Sequence, residues 1–203
     1  MDRQLAFRLN PLVAFYQVDV KKEAVPLLIE WRHDLHLNGE KKIRPFGALG
    51  FVMEDRGRPA AVMVLASTIN ASVCAEQGLH RYNTVDIARI CRNPDRRDDK
   101  CLRAALRITR EYLVPVWLEQ DYPRWRARSA EAAGRAWPRV DAVSASSMPG
   151  KNDGELYRFD GFKRLRVSKG GGAKGGRQNP SRVENIDDGN RGLWVYRYPV
   201  PLM

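Results

Sequence analysis

The chain has few of the residues that build metal and disulfide sites. Its 203 residues include three cysteines and three histidines, and no two cysteines have the CxxC spacing of a structural zinc site. We therefore expect no structural zinc site and assign no metal ligands, while the participation of a metal stays open. We expect Cys74, Cys91 and Cys101 to be reduced thiols in a cytoplasmic protein. No apolar run reaches the roughly 18 residues of a membrane helix, so we expect no membrane partner. The N-terminal residues MDRQLAFRLNPLVAF have no uninterrupted apolar stretch followed by a small-residue cleavage site, so we expect no signal peptide.

Glycine is missing from a segment where it is common in other proteins. Residues 86–113, DIARICRNPDRRDDKCLRAALRITREYL, read as a strand, a polar turn and a helix. Such a junction often holds a phosphate group, because the first amides of the helix donate to the anion and the helix dipole favours it. We expect Arg96, Arg97 and Lys100 to clamp the anion in place of glycine amides. The alternative is a helix capped by a turn aspartate, with a solvated charged face.

Negative charge is also in short supply, and the formal net charge is +11. A basic surplus of this size favours polyanionic partners such as DNA, although a merely basic surface is the alternative. The residues expected to contact phosphates lie on a predicted helix and in the glycine-rich stretch 168–190, which we expect to be a flexible loop between the last two strands. They are Arg103, Arg107 and Arg110 on the helix, and Lys169, Lys174, Arg177 and Arg182 in the loop.

Hydrophobic periodicity predicts a mixed α/β protein. The predicted strands are 15–20, 48–55, 59–68, 85–92, 140–146, 163–168 and 193–200, and the predicted helices are 21–35, 100–113, 125–136 and 154–161. Gly57 is expected to have the positive φ that a short hairpin turn requires. This order of elements predicts one domain over 1–203, with a mixed central sheet flanked by helices.

Spacing along the central strand suggests a cluster of polar side chains. Asp86 and Arg89 lie on opposite faces of a straight strand, so an ion pair between them requires a bulge or a third strand. Cys91 shares a face with Arg89. Its side chain is either a small buried hydrophobic group or a nucleophilic thiol.

The order of elements, ending in GELYRFDGFKRL, resembles that of the GNAT superfamily of acyl-CoA-dependent N-acyltransferases. In that family the turn after the fourth strand holds the pyrophosphate of coenzyme A, and a later short helix carries a tyrosine that protonates the leaving thiolate. The resemblance covers residues 45–166 and implies acetyl-CoA or a related acyl-CoA as donor, with Tyr157 as the catalytic tyrosine. The chain departs from the family's pattern at Asp99 and Cys101, where the family has small residues or glycine.

A narrower resemblance is to the Mom-type phage DNA-modification proteins, a divergent GNAT-like branch that alters adenine bases. It is carried by WRHDLHLNGEKKIRPFGALGFVMEDRGRPAAVMVLAST and by VDIARICRNPDRRDDKCLRAALR. The family's serine after the turn cysteine is Leu102 here. The resemblance implies that His33, His36 and Asp86 line the reacting centre together with Tyr157. The residues implied to hold the donor are Arg89, Ile90, Cys91, Arg92, Arg96, Arg97, Lys100 and Cys101.

Three functions stay open on this reasoning. The first is a GNAT-like transferase that modifies a base, adenine by the resemblance, in DNA of a phage-infected bacterial cell. The second is an acetyl-CoA-dependent N-acetyltransferase that acts on an amine of a small molecule or protein. The third is a non-enzymatic nucleic-acid-binding protein on a transferase scaffold. The sequence does not specify an oligomeric state, and a homodimer stays open.

Overall fold

The computed structural model describes residues 4–10, 12–31, 48–67, 79, 83–96, 100–121, 140–147, 154–168 and 191–199. Within these ranges the strands are β1 (Gln4–Asn10), β2 (Val13–Val18), β3 (Ala48–Asp55), β4 (Arg58–Ser67), β5 (Thr84–Arg92), β6 (Ala142–Ser147), β7 (Lys163–Ser168) and β8 (Arg191–Arg197). The helices are α1 (Val25–Glu30), α2 (Lys100–Ile108) and α3 (Glu155–Phe159). A π-helical turn (Val20–Ala24) precedes α1, and a π-helical segment (Thr109–Asp121) continues α2.

The described strands form one mixed sheet in the order β1-β2-β3-β4-β5-β6-β8-β7. Neighbouring strands are antiparallel except for β5 and β6, which run parallel. The mixed central sheet predicted from the sequence is therefore confirmed. No strand is predicted over 4–10, although the apolar residues Leu5, Phe7 and Leu9 alternate there as they do in a half-buried strand.

Both faces of the sheet are covered, and this explains the continuous apolar run of β4. Val62 and Val64 pack with Leu28 of α1 on one face. Met63 and Leu65 pack with α2 and α3 on the other face. A strand buried on both faces has no polar alternation, because every side chain enters a core. We call these the α1 face and the α2 face.

The turn between β3 and β4 consists of two residues with positive φ, Arg56 at 52° and Gly57 at 70°. Two left-handed residues in succession are typical of the type I′ turn, whose twist matches that of the flanking strands. The positive φ predicted for Gly57 is confirmed.

The first helix is shorter in the described residues than predicted. Asp19 caps the π-helical turn, since its Oδ1 accepts from the backbone N–H of Lys21 at 2.9 Å and of Lys22 at 2.8 Å. The remainder of the predicted helix after Trp31 lies outside the described residues, as does the whole helix predicted at 125–136. In the part of the chain that is described, no helix has the length and the apolarity needed to cross a membrane.

The single domain over 1–203 and the flexible loop at 168–190 stay predictions. Ser168 is the last residue of β7, and the rest of that loop lies outside the described residues.

Candidate active site

The pairing of the two parallel strands ends after four residues, and we call the region beyond the last pair the cleft. Thr84–Ile87 of β5 pair with Ala142–Ala145 of β6. Beyond these pairs β5 continues to Arg92, and the last residues of β6 pair only with β8 among the described strands. The carboxyl end of a parallel strand pair is a usual place for a ligand crevice. In this chain α2 begins shortly after the same end of β5.

A β-bulge lies at the point where the cleft opens. Arg89 pairs with Val64 of β4, and Ile87 pairs with the next residue of β4, so Ala88 is an extra residue in β5. A bulge reverses the alternation of side chains beyond it. Asp86 and Arg89 therefore lie on the same face, the α1 face, which is the geometry that an ion pair between them requires. The pair itself stays a prediction.

Asp86 is held at the base of the cleft by β6. Its carboxylate Oδ1 accepts a hydrogen bond of 2.7 Å from the hydroxyl of Ser144. The two residues are register partners across the parallel pair, and both are buried. A buried carboxylate requires such donors, because the uncompensated charge would be costly. Asp86 thus has a fixed position next to the opening between the strands.

Cys91 lies on the α1 face and is half-buried against the cluster that contains Val62 and Val64. Its thiol donates to the carbonyl of Arg92 at 3.4 Å. Burial raises the pKa of the Cys91 thiol above its ordinary value, and a raised pKa leaves less thiolate at neutral pH. This environment favours the small hydrophobic role over the nucleophilic one.

The turn after β5 is fastened to the hairpin of β3 and β4. The side-chain Nδ2 of Asn93 donates to the carbonyl of Pro59 at 3.2 Å, and the side-chain Oδ1 of Asn93 accepts from the backbone N–H of Asp95 at 2.9 Å. The Arg96 guanidinium pairs with the carboxylate of Asp55 and donates to the Asp55 carbonyl at 3.0 Å. The hydrogen bond to Asp55 raises the pKa of Arg96. Arg96 is therefore engaged within the protein, and its predicted role as a phosphate clamp stays a prediction.

The other residues predicted to hold a donor lie near this turn or outside the description. Ile90 and Cys101 are half-buried against the α2-face core, and Arg92 is half-buried at the end of β5. Lys100 is exposed at the first position of α2. Arg97 lies outside the described residues.

Tyr157 is buried on α3, with its ring centroid 5.7 Å from that of Phe162 and 6.3 Å from that of Trp194. Glycines with positive φ flank this short helix, Gly154 at 89° and Gly161 at 83°. Because Tyr157 packs into the α2-face core, it lies on the opposite face of the sheet from Asp86. The two predicted catalytic residues in the described part of the chain therefore lie on opposite faces of the sheet.

The three arginines predicted to form a row, on α2 and the π-helical segment that continues it, make different contacts. Arg103 is exposed, with its guanidinium 6.0 Å from the ring centroid of Phe159. The Nε atom of Arg107 lies 3.7 Å from Oδ1 of Asp160, and Nε of Arg110 lies 3.3 Å from Oδ2. The side chain of Arg110 is only 15% exposed, so its charge faces the protein more than the solvent.

Several predicted site residues cannot be positioned because they lie outside the described residues. They are His33 and His36 of the reacting centre and Lys169, Lys174, Arg177 and Arg182 of the basic loop. Among the residues that are described, no three His, Cys, Asp or Glu side chains gather as a metal site would require.

Sequence reasoning missed Asp160, the acid that pairs with two of the predicted phosphate-binding arginines. It also gave no special role to the bond between Ser144 and Asp86. The available signal for Asp160 was its isolation, since it is the one acid in the segment YRFDGFKRLR.

Solved structures resemble this chain over nearly its whole length. The Bacillus subtilis acetyltransferase in complex with CoA has a TM-score of 0.51 and 11% sequence identity, with 91% of this chain and 98% of that chain covered. A GNAT family acetyltransferase from Elizabethkingia anophelis with acetyl-CoA bound has a TM-score of 0.50 and 10% identity, with 93% and 100% covered. The chain has the GNAT acetyltransferase fold. No protein-family model and no curated protein sequence matches it.

At this level of identity the likeness establishes the fold alone. The GNAT-like architecture predicted from the order of elements is confirmed, whereas the roles of the individual site residues stay predictions.

Proposed function

We propose that the chain is an acyl-CoA-dependent N-acyltransferase that transfers an acetyl group, or a related acyl group, to an amine. The observation that carries the proposal is the cleft between β5 and β6: the pairing of the two strands ends at Ile87, β5 continues to Arg92, and α2 is the next described element along the chain. The two solved structures with the same fold contain CoA or acetyl-CoA.

The strand edge beyond the last β5–β6 pair suits an acyl-CoA donor. An extended molecule that carries amide groups can hydrogen-bond along a strand edge that its neighbouring strand has left. Residues 88–92 of β5 form such an edge toward β6. The phosphates would then lie near the start of α2, where the helix dipole, Arg92 and Lys100 favour negative charge. Acetyl-CoA supplies the acetyl group as a thioester.

The transfer requires two proton movements, one from the attacking amine and one to the leaving thiolate. The C–S bond breaks as the new C–N bond forms, so the amine proton needs an acceptor and the sulfur needs a donor. We propose that the hydroxyl of Tyr157 donates the proton to the leaving thiolate. We assign acceptance of the amine proton to the carboxylate of Asp86, which is oriented by Ser144. Because Asp86 lies on the opposite face of the sheet from Tyr157, the proton would reach it through a water in the gap between β5 and β6. His33 and His36 stay candidates for the same acceptance.

The nature of the amine is a finer proposal. The net charge of +11 favours an amine carried by a polyanion, and the exocyclic amine of adenine in DNA is one such amine. This second candidate retains the predicted DNA modification, with the exposed Arg103 as its described phosphate contact. A small-molecule or protein amine remains the simpler substrate, because the side chain of Arg110 is only 15% exposed and is paired with Asp160, to which the exposed Arg107 also lies close.

One experiment tests both the activity and the substrate class. The protein is incubated with radiolabelled acetyl-CoA and, separately, a polyamine, a lysine peptide and double-stranded DNA, and the DNA is then digested to nucleosides for mass spectrometry. We expect label in an amine product, and we expect Tyr157→Phe to lower the rate by about 10²–10⁴-fold, the usual contribution of a positioned acid.

Glu155→Gln is the matched control. It changes an exposed residue of the same helix and should retain the wild-type rate. A folded wild-type protein that labels no amine would contradict the proposed activity, and label confined to the polyamine or the peptide would contradict the DNA candidate.

A further inference from the structure

Asp160 is a buried carboxylate to which the proposed reaction gives no direct role. Its side chain is 1% exposed. Oδ2 accepts from Nε of Arg110 at 3.3 Å, and Oδ1 lies 3.7 Å from Nε of Arg107. Among the described residues Oδ1 has no hydrogen-bond partner. Burial raises the pKa of Asp160, and the two arginines oppose that shift.

A contribution to stability does not by itself explain the buried carboxylate of Asp160, because burying its charge is costly. A buried ion pair often contributes no more stability than well-packed apolar residues of the same size would. Asp160 is half of an incompletely bonded pair, which is less favourable still. The pair is therefore better explained by what it holds in place.

Arg110 is fixed on several sides. Its guanidinium lies 4.5 Å from the ring centroid of Tyr196 and donates to Glu111 at 2.8 Å. Its backbone carbonyl accepts from the hydroxyl of Tyr198 at 2.7 Å. Arg110 belongs to the π-helical segment that continues α2. Asp160 is thereby attached to the helical segment that continues α2, and the first turn of α2 packs against the same core as Ile90 of β5.

Asp160 is joined just as directly to Tyr157. It is the C-cap residue directly after α3, and its N–H donates to the carbonyl of Tyr157 at 3.1 Å. The N–H of Phe162 donates to the same carbonyl at 3.0 Å, and the Phe162 ring packs on the Tyr157 ring. Asp160 therefore contacts the backbone of Tyr157 through its own N–H and Arg110 through its side chain.

We propose that Asp160 is a positioning residue for Tyr157, because its pair with Arg110 fixes α3 against the helix that begins with α2. This inference rests on the proposed function, in which Tyr157 protonates the thiolate of a donor held near the start of α2. The tyrosine and the donor site then move as one body. An error of about 1 Å between reacting groups can cost roughly 10²-fold in rate.

The kinetic test compares Asp160→Asn, Tyr157→Phe and the double variant in acetyl transfer to the amine found above. Asparagine keeps the shape of the side chain but lacks the charge that attracts Arg110. We expect kcat to fall by about 10- to 100-fold while KM for acetyl-CoA is unchanged. Because Asp160 acts through Tyr157, the double variant should be no slower than Tyr157→Phe alone. Multiplicative losses in the double variant would overturn the proposal, as would a wild-type rate in Asp160→Asn.

A second measurement requires no activity. Hydrogen exchange is followed at the amides of Asp160 and Phe162, which bond to the Tyr157 carbonyl. Protection should fall in Asp160→Asn and stay unchanged in Glu155→Gln, which breaks the exposed pair between Glu155 and Arg158 on the same helix. Unchanged protection in Asp160→Asn would overturn the proposal.

The two measurements separate the inference from the function on which it rests. A wild-type protein that transfers no acetyl group contradicts the proposed function, while the exchange result still decides whether Asp160 holds α3. If Asp160→Asn does not fold, Arg110→Lys serves in its place. Lysine keeps the charge but lacks the planar guanidinium that bonds Asp160 and stacks on Tyr196, so the same losses are expected.

Discussion

Gly154→Ala is expected to be among the most damaging small substitutions in the described part of the chain. Gly154 has a φ of 89°, and a Cβ added there would lie 2.3 Å from the ring of Trp194. The left-handed backbone costs an alanine about 1–2 kcal/mol, and overpacking adds about 1–3 kcal/mol. We therefore expect the free energy of unfolding to fall by about 2–5 kcal/mol.

The clash also reaches the candidate site. Trp194 donates through Nε1 to the hydroxyl of Ser147 at 2.8 Å, and its ring packs 6.3 Å from that of Tyr157. A displaced indole would disturb both contacts. Urea denaturation followed by tryptophan fluorescence measures the loss of stability, and near-ultraviolet circular dichroism reports the changed aromatic packing.

Gly57→Ala is the matched control for this prediction. Gly57 has a φ of 70°, but no atom lies within 4 Å of the Cβ that alanine would add. The control therefore retains the backbone cost of about 1–2 kcal/mol without the clash. Equal losses of stability in the two variants would refute the reasoning, because the contact with Trp194 would then contribute nothing.

Three further predictions concern buried polar groups. Ser144→Ala removes the hydroxyl that donates to Asp86 and should lower the free energy of unfolding, measured by urea denaturation, by about 1–3 kcal/mol. The control Ser146→Ala changes an exposed position of the same strand and should stay within about 0.5 kcal/mol of wild type. Similar losses in the two variants would contradict the role of the buried hydrogen bond. Burial raises the pKa of Cys91, so its alkylation by iodoacetamide, followed by peptide mass spectrometry, should reach half its maximal rate at a higher pH than that of free cysteine, and a lower midpoint would be contrary evidence. The pKa of Asp160 in the native protein is raised above the ordinary 3.8, so the native protein binds this proton more tightly than the unfolded protein does. The free energy of unfolding of wild type relative to Asp160→Asn should therefore be greatest at low pH and fall as the pH rises from 3.8 through the native pKa. A rise over that pH range would contradict the raised pKa.

Most strands of the sheet are predictable from the sequence because each is marked by its own hydrophobic pattern and by the turn residues beside it. The uninterrupted apolar run of β4 requires cover on both faces, and Gly57 marks the hairpin turn that leads into it. The strand Thr84–Arg92 and the helix after it follow from their hydrophobic patterns. β1 is the exception: its apolar residues alternate as they do in a half-buried strand, but no strand is predicted there.

The contacts that build the candidate site are not predictable in the same way, because they join distant parts of the chain. Asp86 and Ser144 are 58 residues apart, and Arg110 and Asp160 are 50 residues apart. Only the register of β5 against β6 and the packing of α3 on the α2 helix bring them together. No glycine or proline in the sequence marks the bulge at Ala88. The only indication of a bulge was that an ion pair between Asp86 and Arg89 would require one or the help of a third strand.

Calorimetric titration of the wild-type protein with acetyl-CoA tests the central claim most directly. The claim is that the cleft between β5 and β6 holds an acyl-CoA donor. We expect one molecule of acetyl-CoA to bind per chain, with a dissociation constant of roughly 1 μM to 1 mM, the range of ordinary enzyme substrates. A folded protein that gives no binding heat at any temperature tested, and that acetyl-CoA does not stabilise against thermal unfolding, would contradict it.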